Sequence, residues 1–151
     1  MGDLQAVVFK LDEQMFGVET SQVQEIIRYQ DIQMVPGMPE FMEGMINLRG
    51  RVIPIINLHK RFRLGQLRVA NETKIIITDI ENRYIGFVVD DVTEIIKFLE
   101  QDIEEAPDII YNQMNRYLKC IAKRDEKIIS IFDLSKILSE NEVDKVVEKI
   151  K

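Results

Sequence analysis

Gly44-Met45-Ile46-Asn47-Leu48-Arg49-Gly50-Arg51-Val52-Ile53-Pro54-Ile55-Ile56-Asn57-Leu58 reads as a strand, a tight turn and a second strand. Apolar residues fill five of the seven positions from Val52 to Leu58 apart from the proline, so neither face of that second strand is built for water. A guanidinium, that of Arg49, stands beside the turn glycine, Gly50. No acidic residue occurs from Gly44 to Asn71, in a chain that is acidic elsewhere. The stretch offers a surface for a partner and contains nothing that does chemistry.

A chain of 151 residues makes one domain or two small lobes. Its apolar fraction of 46% is that of a globular protein, and its patterned charge argues against disorder. No apolar run has the length of a membrane span, and the first residues lack the basic and apolar regions of a secretion signal. Cys120, the single cysteine, has no partner for an internal disulfide, which suits a reducing cytoplasm. The formal charge is −6, from 20 basic and 26 acidic residues. Six of the basic residues (Arg49, Arg51, Lys60, Arg61, Arg63, Arg68) fall in the acid-free run, so the remainder carries 14 against 26, a net of −12. A basic patch on an acidic body predicts an acidic partner segment or a buried arginine.

Period-two patterning dominates. Ala6–Leu11 with Met15–Val18, Thr73–Ile80 with Tyr84–Val89, and Tyr117–Ala122 with Ile128–Phe132 read as three hairpins. Met45–Arg49 with Val52–Asn57 is a fourth pair, Val92–Phe98 a further strand, and Ile26–Val35 a long, partly irregular one. About ten short strands suit two small barrels better than one. The least apolar internal connection, Leu64–Glu72, is the expected lobe junction; periodicity leaves open whether a terminal segment crosses to the other lobe. Helix is minor: one turn at Pro39–Glu43, one at Leu58–Phe62, and an amphipathic C-terminal helix over 139–151. That last helix is introduced by the capping box Ser139-Glu140-Asn141-Glu142 and striped by Val143, Val146, Val147 and Ile150. The stripe predicts docking on its own barrel, with a partner-binding tail as the alternative.

Catalytic candidates fail on spacing. His59, the only histidine, sits among Lys60, Arg61 and Arg63, with no second ligand at a metal-binding interval, and reads as surface or structural. Cys120 alternates with Leu118 and Ala122 and so faces a core. Asp90 and Asp91 are adjacent on extended chain, point apart, and read as a turn. Nucleic-acid binding by the basic run needs stacking aromatics, and Phe62 is the only aromatic from Gly44 to Asn71. Arg49 is different: next to an apolar strand it needs a fixed partner or an incoming chain. Glu25 is the matching charge, and the two form either an internal pair that fixes the turn or the polar rim of an apolar groove.

From Ala6 to about Leu138 the chain resembles the chemotaxis coupling proteins of the CheW type. The likeness is strongest at Gly44-Met45-Ile46-Asn47-Leu48-Arg49-Gly50-Arg51-Val52-Ile53-Pro54. Phe16-Gly17-Val18, Val23-Gln24-Glu25-Ile26-Ile27, Gly86-Phe87-Val88-Val89-Asp90 and Asp133-Leu134 support it. The resemblance implies a mainly β fold of two five-stranded SH3-like barrels, no enzymatic activity and no cofactor or metal. It implies an adaptor, at the inner face of the membrane, between the cytoplasmic tips of chemoreceptors and the regulatory domain of the histidine kinase CheA. Other copies of the adaptor take part in array rings, without nucleic acid and without direct membrane insertion. An adaptor for a non-chemotactic kinase would look the same, and a nucleic-acid-binding barrel is the distant alternative. Carried over by motif, the receptor groove draws on Val23, Glu25, Ile26, Gly44, Ile46, Leu48 and Arg49, and the kinase surface on Thr73, Gly86, Val92 and Ile95. The chain departs from the family pattern at Asn57, where aspartate is frequent, at His59, where arginine is, and at Cys120, where glycine is.

Overall fold

Three consecutive isoleucines, Ile75, Ile76 and Ile77, are all fully buried, and alternation explains how. Successive side chains of a strand point to opposite faces, so such a run needs a core on each side of its sheet. In the computed structural model, which describes residues 2–105, 116–138 and 142, Ile75 and Ile77 join Ile46, Ile53, Ile55 and Val88 in one core. Ile76 belongs to another, with Phe9, Phe16, Phe87 and Phe132.

The strands are β1 (Leu4–Leu11), β2 (Gln14–Glu19), β3 (Val23–Arg28), β4 (Met42–Leu48), β5 (Arg51–Asn57), β6 (Lys74–Ile80), β7 (Arg83–Val89), β8 (Asp91–Phe98), β9 (Ile103–Glu104), β10 (Leu118–Arg124) and β11 (Lys127–Phe132); a short helix, α1 (Leu58–Arg61), follows β5. They form a six-stranded sheet in the order β8-β1-β2-β11-β10-β9 and a five-stranded one in the order β3-β6-β7-β5-β4. Ala6, Val8, Ile96, Cys120, Ala122, Ile129 and Ile131 form the inner core of the first sheet. The aromatic-rich core holding Ile76 draws on both sheets and packs them together. At about 1.5–3 kcal/mol for each large side chain removed from water, these three cores dominate the folding energy.

Setting aside the two-residue β9, the two sheets have one topology with the halves of the chain exchanged. Strands β1 to β5 correspond to β6, β7, β8, β10 and β11, and each half sends its leading hairpin into the other half's sheet. The correspondence reaches single residues. Gly17 pairs with Ile131 as Gly86 pairs with Ile55, and a Cβ on either glycine would come within 2.7 or 2.6 Å of its isoleucine's Cδ1. Bulges fall between Met42 and Gly44 and between Leu118 and Cys120. The Asn57 amide donates to the Phe41 carbonyl, and that of Asp133 to Tyr117, both at 2.8 Å.

Several expectations shift. The segment 64–72, expected as the lobe junction, links β5 and α1 to β6 within one sheet. The chain passes between sheets at the 3-10 turn Thr20–Gln22 and again at Asp90. The strand expected over Ile26–Val35 stops at Arg28, because the chain must then leave β6 and travel to β4 at the opposite edge. It arrives there through the single bridge Gln33–Met45. The turn expected over Pro39–Glu43 ends early: Met42 N–H on the Pro39 carbonyl at 3.0 Å closes it, and Met42 and Glu43 already belong to β4. Leu58–Arg61 is helical as expected, with the Asn57 side chain as its cap. The expected C-terminal helix lies outside the described residues except for Glu142, which pairs with Arg61 through two bonds of 2.9 and 2.8 Å.

The first passage between sheets is fastened by Gln22. Its amide donates to the Asp133 carboxylate, and its carbonyl oxygen accepts from Leu134 N–H at 3.0 Å. Burial pushes the Asp133 carboxyl up, but hydrogen bonds from Ser135 and Gln22 outweigh it and hold the group below its ordinary value. A depressed carboxylate stabilises the fold in full above its unfolded value near pH 4, and the contribution fades as pH falls through the folded value. Asp133→Ala is therefore expected to cost about 1–2 kcal/mol at neutral pH, the usual loss for such a cap. Urea titrations should show the gap to wild type closing in acid. A gap that stays constant to pH 2 would mean that the charge of Asp133 contributes nothing.

Candidate functional site

The β4–β5 hairpin turns on two residues of positive φ, Arg49 at 52° and Gly50 at 84°. That is the backbone of the tight hairpin turn whose twist matches its strands. Asn47 closes it, its Oδ1 accepting from Gly50 N–H at 2.9 Å. The left-handed conformation costs Arg49 about 1–2 kcal/mol. Held there, its guanidinium bonds to the Glu25 carboxylate on β3. Strands β3 and β4 are the two edges of the five-stranded sheet, so the ion pair joins one edge to the other. The Arg49 side chain remains 68% exposed and that of Glu25 32%. An exposed pair of this kind adds at most about 1 kcal/mol to stability, and a guanidinium bonded through one nitrogen keeps donors for another chain.

The same strands, β3 and β4, carry half-buried apolar residues. Val23 and Ile26 on β3 pack against the core shared by the two sheets, and Leu48 packs against the inner core of its own sheet. Of the expected receptor residues, only Glu25 and Arg49 are joined directly; Val23 and Ile26 on β3 and Leu48 at the end of β4 are half-buried. Gly44 and Ile46, expected beside them, do not reach a surface. Ile46 is 3% exposed and points into the inner core. Gly44 is buried at φ 144° beneath the Gln33 carbonyl, 2.1 Å from where a Cβ would stand. The close approach that this glycine permits is made by its own chain.

The second expected surface divides in the same way. Val92 and Ile95 lie on β8, an edge of the six-stranded sheet; Val92 is half-buried and Ile95 is 58% exposed. Leu99, just past β8, adds a further exposed apolar side chain that the sequence reading missed. Thr73 and Gly86 are buried. Thr73 is 1% exposed, and its hydroxyl accepts from Ala70 N–H at 2.8 Å. Gly86 lies under Ile55 and Ile75. The exchange of hairpins relates the two surfaces: Val23-Gln24-Glu25-Ile26-Ile27 on β3 corresponds to Val92-Thr93-Glu94-Ile95-Ile96 on β8. That repeat is the sequence signal for β8 as a counterpart of β3.

Among the described residues, Asp12, His59 and Asp90 are the one group of potential metal ligands gathered within 4.8 Å. Both ring nitrogens of His59 already face protein oxygens, Nδ1 that of Gly65 at 3.1 Å and Nε2 that of Asp90 at 2.9 Å. Burial pushes the Cys120 thiol up, away from the thiolate a nucleophile needs. Asn57 uses both ends of its amide, Nδ2 donating to Glu43 at 2.7 Å and Oδ1 accepting from Lys60 N–H at 3.0 Å. An aspartate there could not donate, so asparagine is the residue that fits beside Glu43.

A model of the CheW-like domain matches residues 5–142. The chain belongs to the CheW-like family. It is 30% identical to the chemotaxis protein CheW of Treponema pallidum over 146 residues, 94% of this chain and 86% of that one. With the Bacillus subtilis chemotaxis protein CheW it shares 31% identity over 134 residues, covering 89% and 86%. The solved scaffolding protein CheW of Thermoanaerobacter tengcongensis superposes with a TM-score of 0.84 at 37% identity, covering 94% of this chain and 91% of that one. The mainly β architecture of two packed sheets is thus that of the CheW-like fold, and the proteins it resembles are named chemotaxis and scaffolding proteins rather than enzymes. No helix among the described residues is long and apolar enough to cross a membrane.

Proposed function

We propose that this CheW-like protein couples transmembrane chemoreceptors to the histidine kinase CheA and helps assemble them into arrays at the cytoplasmic face of the membrane. The observation that carries the reading is the Arg49–Glu25 pair, joining strands that also carry half-buried Val23, Ile26 and Leu48. A helical receptor tip docks by laying an apolar stripe against such a rim, while the charged pair fixes its orientation more than its affinity. The CheA regulatory domain takes the β8 edge through Val92 and Ile95, with Leu99 extending the same apolar surface. Further copies of the adaptor share these edges in rings. Individual contacts are of about micromolar strength, and multivalency in the array supplies the rest.

Titration of the full chain with a receptor-tip hairpin, and separately with the CheA regulatory domain, tests both halves of the proposal. Arg49→Glu places a second carboxylate beside Glu25 and is expected to weaken receptor binding about tenfold or more, a change of about 1.4 kcal/mol. Stability should change by no more than about 1 kcal/mol, because the pair is exposed. Unchanged receptor affinity would remove Arg49 from the interface. Binding of neither partner by the wild-type chain would overturn the coupling role.

A further inference from the structure

Strands β3 and β6 pair so that Arg28 stands directly opposite Lys74. Side chains opposed in this way share a face of the sheet, and like charges placed so repel each other. Among the described residues no carboxylate pairs with either cation. Lys74 Nζ donates instead to the backbone carbonyl of Glu72, at 2.9 Å. Both cations line a cleft of about 510 Å³, together with Tyr29, Val69, Ala70 and Asn71. Its walls are held in place. Tyr29 N–H donates to the Thr73 carbonyl at 3.1 Å, and the Tyr29 ring packs against the inner core of its sheet. Ala70 N–H donates to the Thr73 hydroxyl at 2.8 Å and Thr73 N–H to the Ala70 carbonyl at 3.2 Å, which folds the chain before β6 into a turn.

The loop 64–71 belongs to the acid-free run and brings no carboxylate to the cleft. Glu43 is engaged by the Asn57 amide at 2.7 Å and by Lys60 at 3.3 Å. Burial, with Glu43 and Asp31 adding to it, pushes the Tyr29 hydroxyl up, so that group stays a neutral donor. Two cations on one face, beside a neutral hydroxyl and an amide, suit a dianion. A carboxylate carries a single charge and leaves one cation unmet. A phosphate monoester carries close to two at neutral pH, and its oxygens match both the arginine fork and the compact lysine charge. The Tyr29 ring with Val69 and Ala70 adds an apolar wall, in a cleft whose size falls within the range of about 300–1,000 Å³ usual for small-molecule sites. We propose that the Arg28–Lys74 cleft binds a phosphate monoester, its phosphate held by the two cations and its organic part lying against Tyr29 and Val69. The site shares no residue with the proposed receptor and kinase surfaces, so it stands or falls separately from the coupling role.

The test is an NMR titration of the full 15N-labelled chain with AMP, and separately with inorganic phosphate and with acetate, at constant ionic strength. It is read at the backbone amides of Tyr29, Asn71 and Lys74. The expected result is saturable shifts at those amides, with AMP bound more tightly than phosphate and no saturation by acetate. Lys74→Glu sets a carboxylate opposite Arg28 and is expected to weaken AMP binding about tenfold or more. Urea unfolding of that variant should show stability equal to or above wild type, because a repulsive cross-strand pair becomes an attractive one. Arg28→Gln, at an exposed position, should weaken AMP binding with Lys74 left in place. Absence of a saturable shift with AMP would overturn the site, as would AMP affinity unchanged in both variants. Acetate bound as tightly as AMP would overturn the choice of a dianion, and AMP bound no more tightly than phosphate would overturn the ester.

Discussion

Ile46→Asp is expected to abolish cooperative folding. Ile46 lies in the inner core of the five-stranded sheet with Ile53, Ile55, Ile75, Ile77 and Val88. Replacing it forfeits about 2–3 kcal/mol of apolar burial and forces a carboxyl into a space that offers it no polar partner, at a further cost of several kcal/mol. The sum, about 5 kcal/mol or more, is comparable to the whole stability of a domain of this size. Circular dichroism and urea unfolding should show a lost or non-cooperative transition, while Ile46→Val should cost only about 0.5–1.5 kcal/mol and leave partner binding intact. An Ile46→Asp protein that melts like wild type and fails only in receptor binding would place this side chain on a groove.

That distinction marks how far the sequence could be read. The hairpin strands were legible, because turn residues punctuate the apolar runs and local pairing follows from them; β3, expected over Ile26–Val35 and found at Val23–Arg28, was not, since no hairpin turn marks its ends. Arg49 and Glu25 were legible as a pair because a guanidinium beside an apolar strand needs an anion, and a strand with one carboxylate among apolar neighbours was available. Alternation could not separate groove from core. In a fold whose sheets are covered on both faces, inward and outward positions of a strand are equally apolar, so Ile46, Thr73 and Gly86 looked as available as Leu48 and Ile95. The exchange of hairpins was hidden for a related reason: a hairpin carries the same signals whichever sheet it joins. It left a trace in the repeated V-x-E-I-I segments and in Asn57-Leu58 matched by Asp133-Leu134. The setting of His59 was not legible, since Asp12 and Asp90 reach it from elements far apart in the chain.

Gly44→Ala should be the most damaging methyl in the β4–β5 hairpin. Gly44 has φ at 144°, a conformation that L-residues rarely adopt, and its new Cβ would stand 2.1 Å from the Gln33 oxygen and 2.9 Å from Ile32 Cγ2. The strained backbone accounts for about 1–3 kcal/mol. Displacing Gln33 also breaks the reciprocal Gln33–Met45 bridge, two bonds of 2.9 Å, each worth about 0.5–1.5 kcal/mol. A loss of about 3–5 kcal/mol follows, or on the order of 10 °C in Tm for a chain of this length. Gly50→Ala is the control. That glycine also has positive φ, 84°, but nothing stands within 4 Å of its Cβ position, so only the conformational cost of about 1 kcal/mol applies. Hydrogen exchange should show the Gln33 and Met45 amides unprotected in Gly44→Ala and protected in Gly50→Ala. Equal losses in the two variants would mean that the bridge contributes nothing. The larger loss at Gly44 would tie the proposed receptor rim to the inside of the sheet, because the bridge returns the segment after β3 to β4, the two edges that the Arg49–Glu25 pair joins. On the proposed receptor interface, affinity should then also fall in Gly44→Ala.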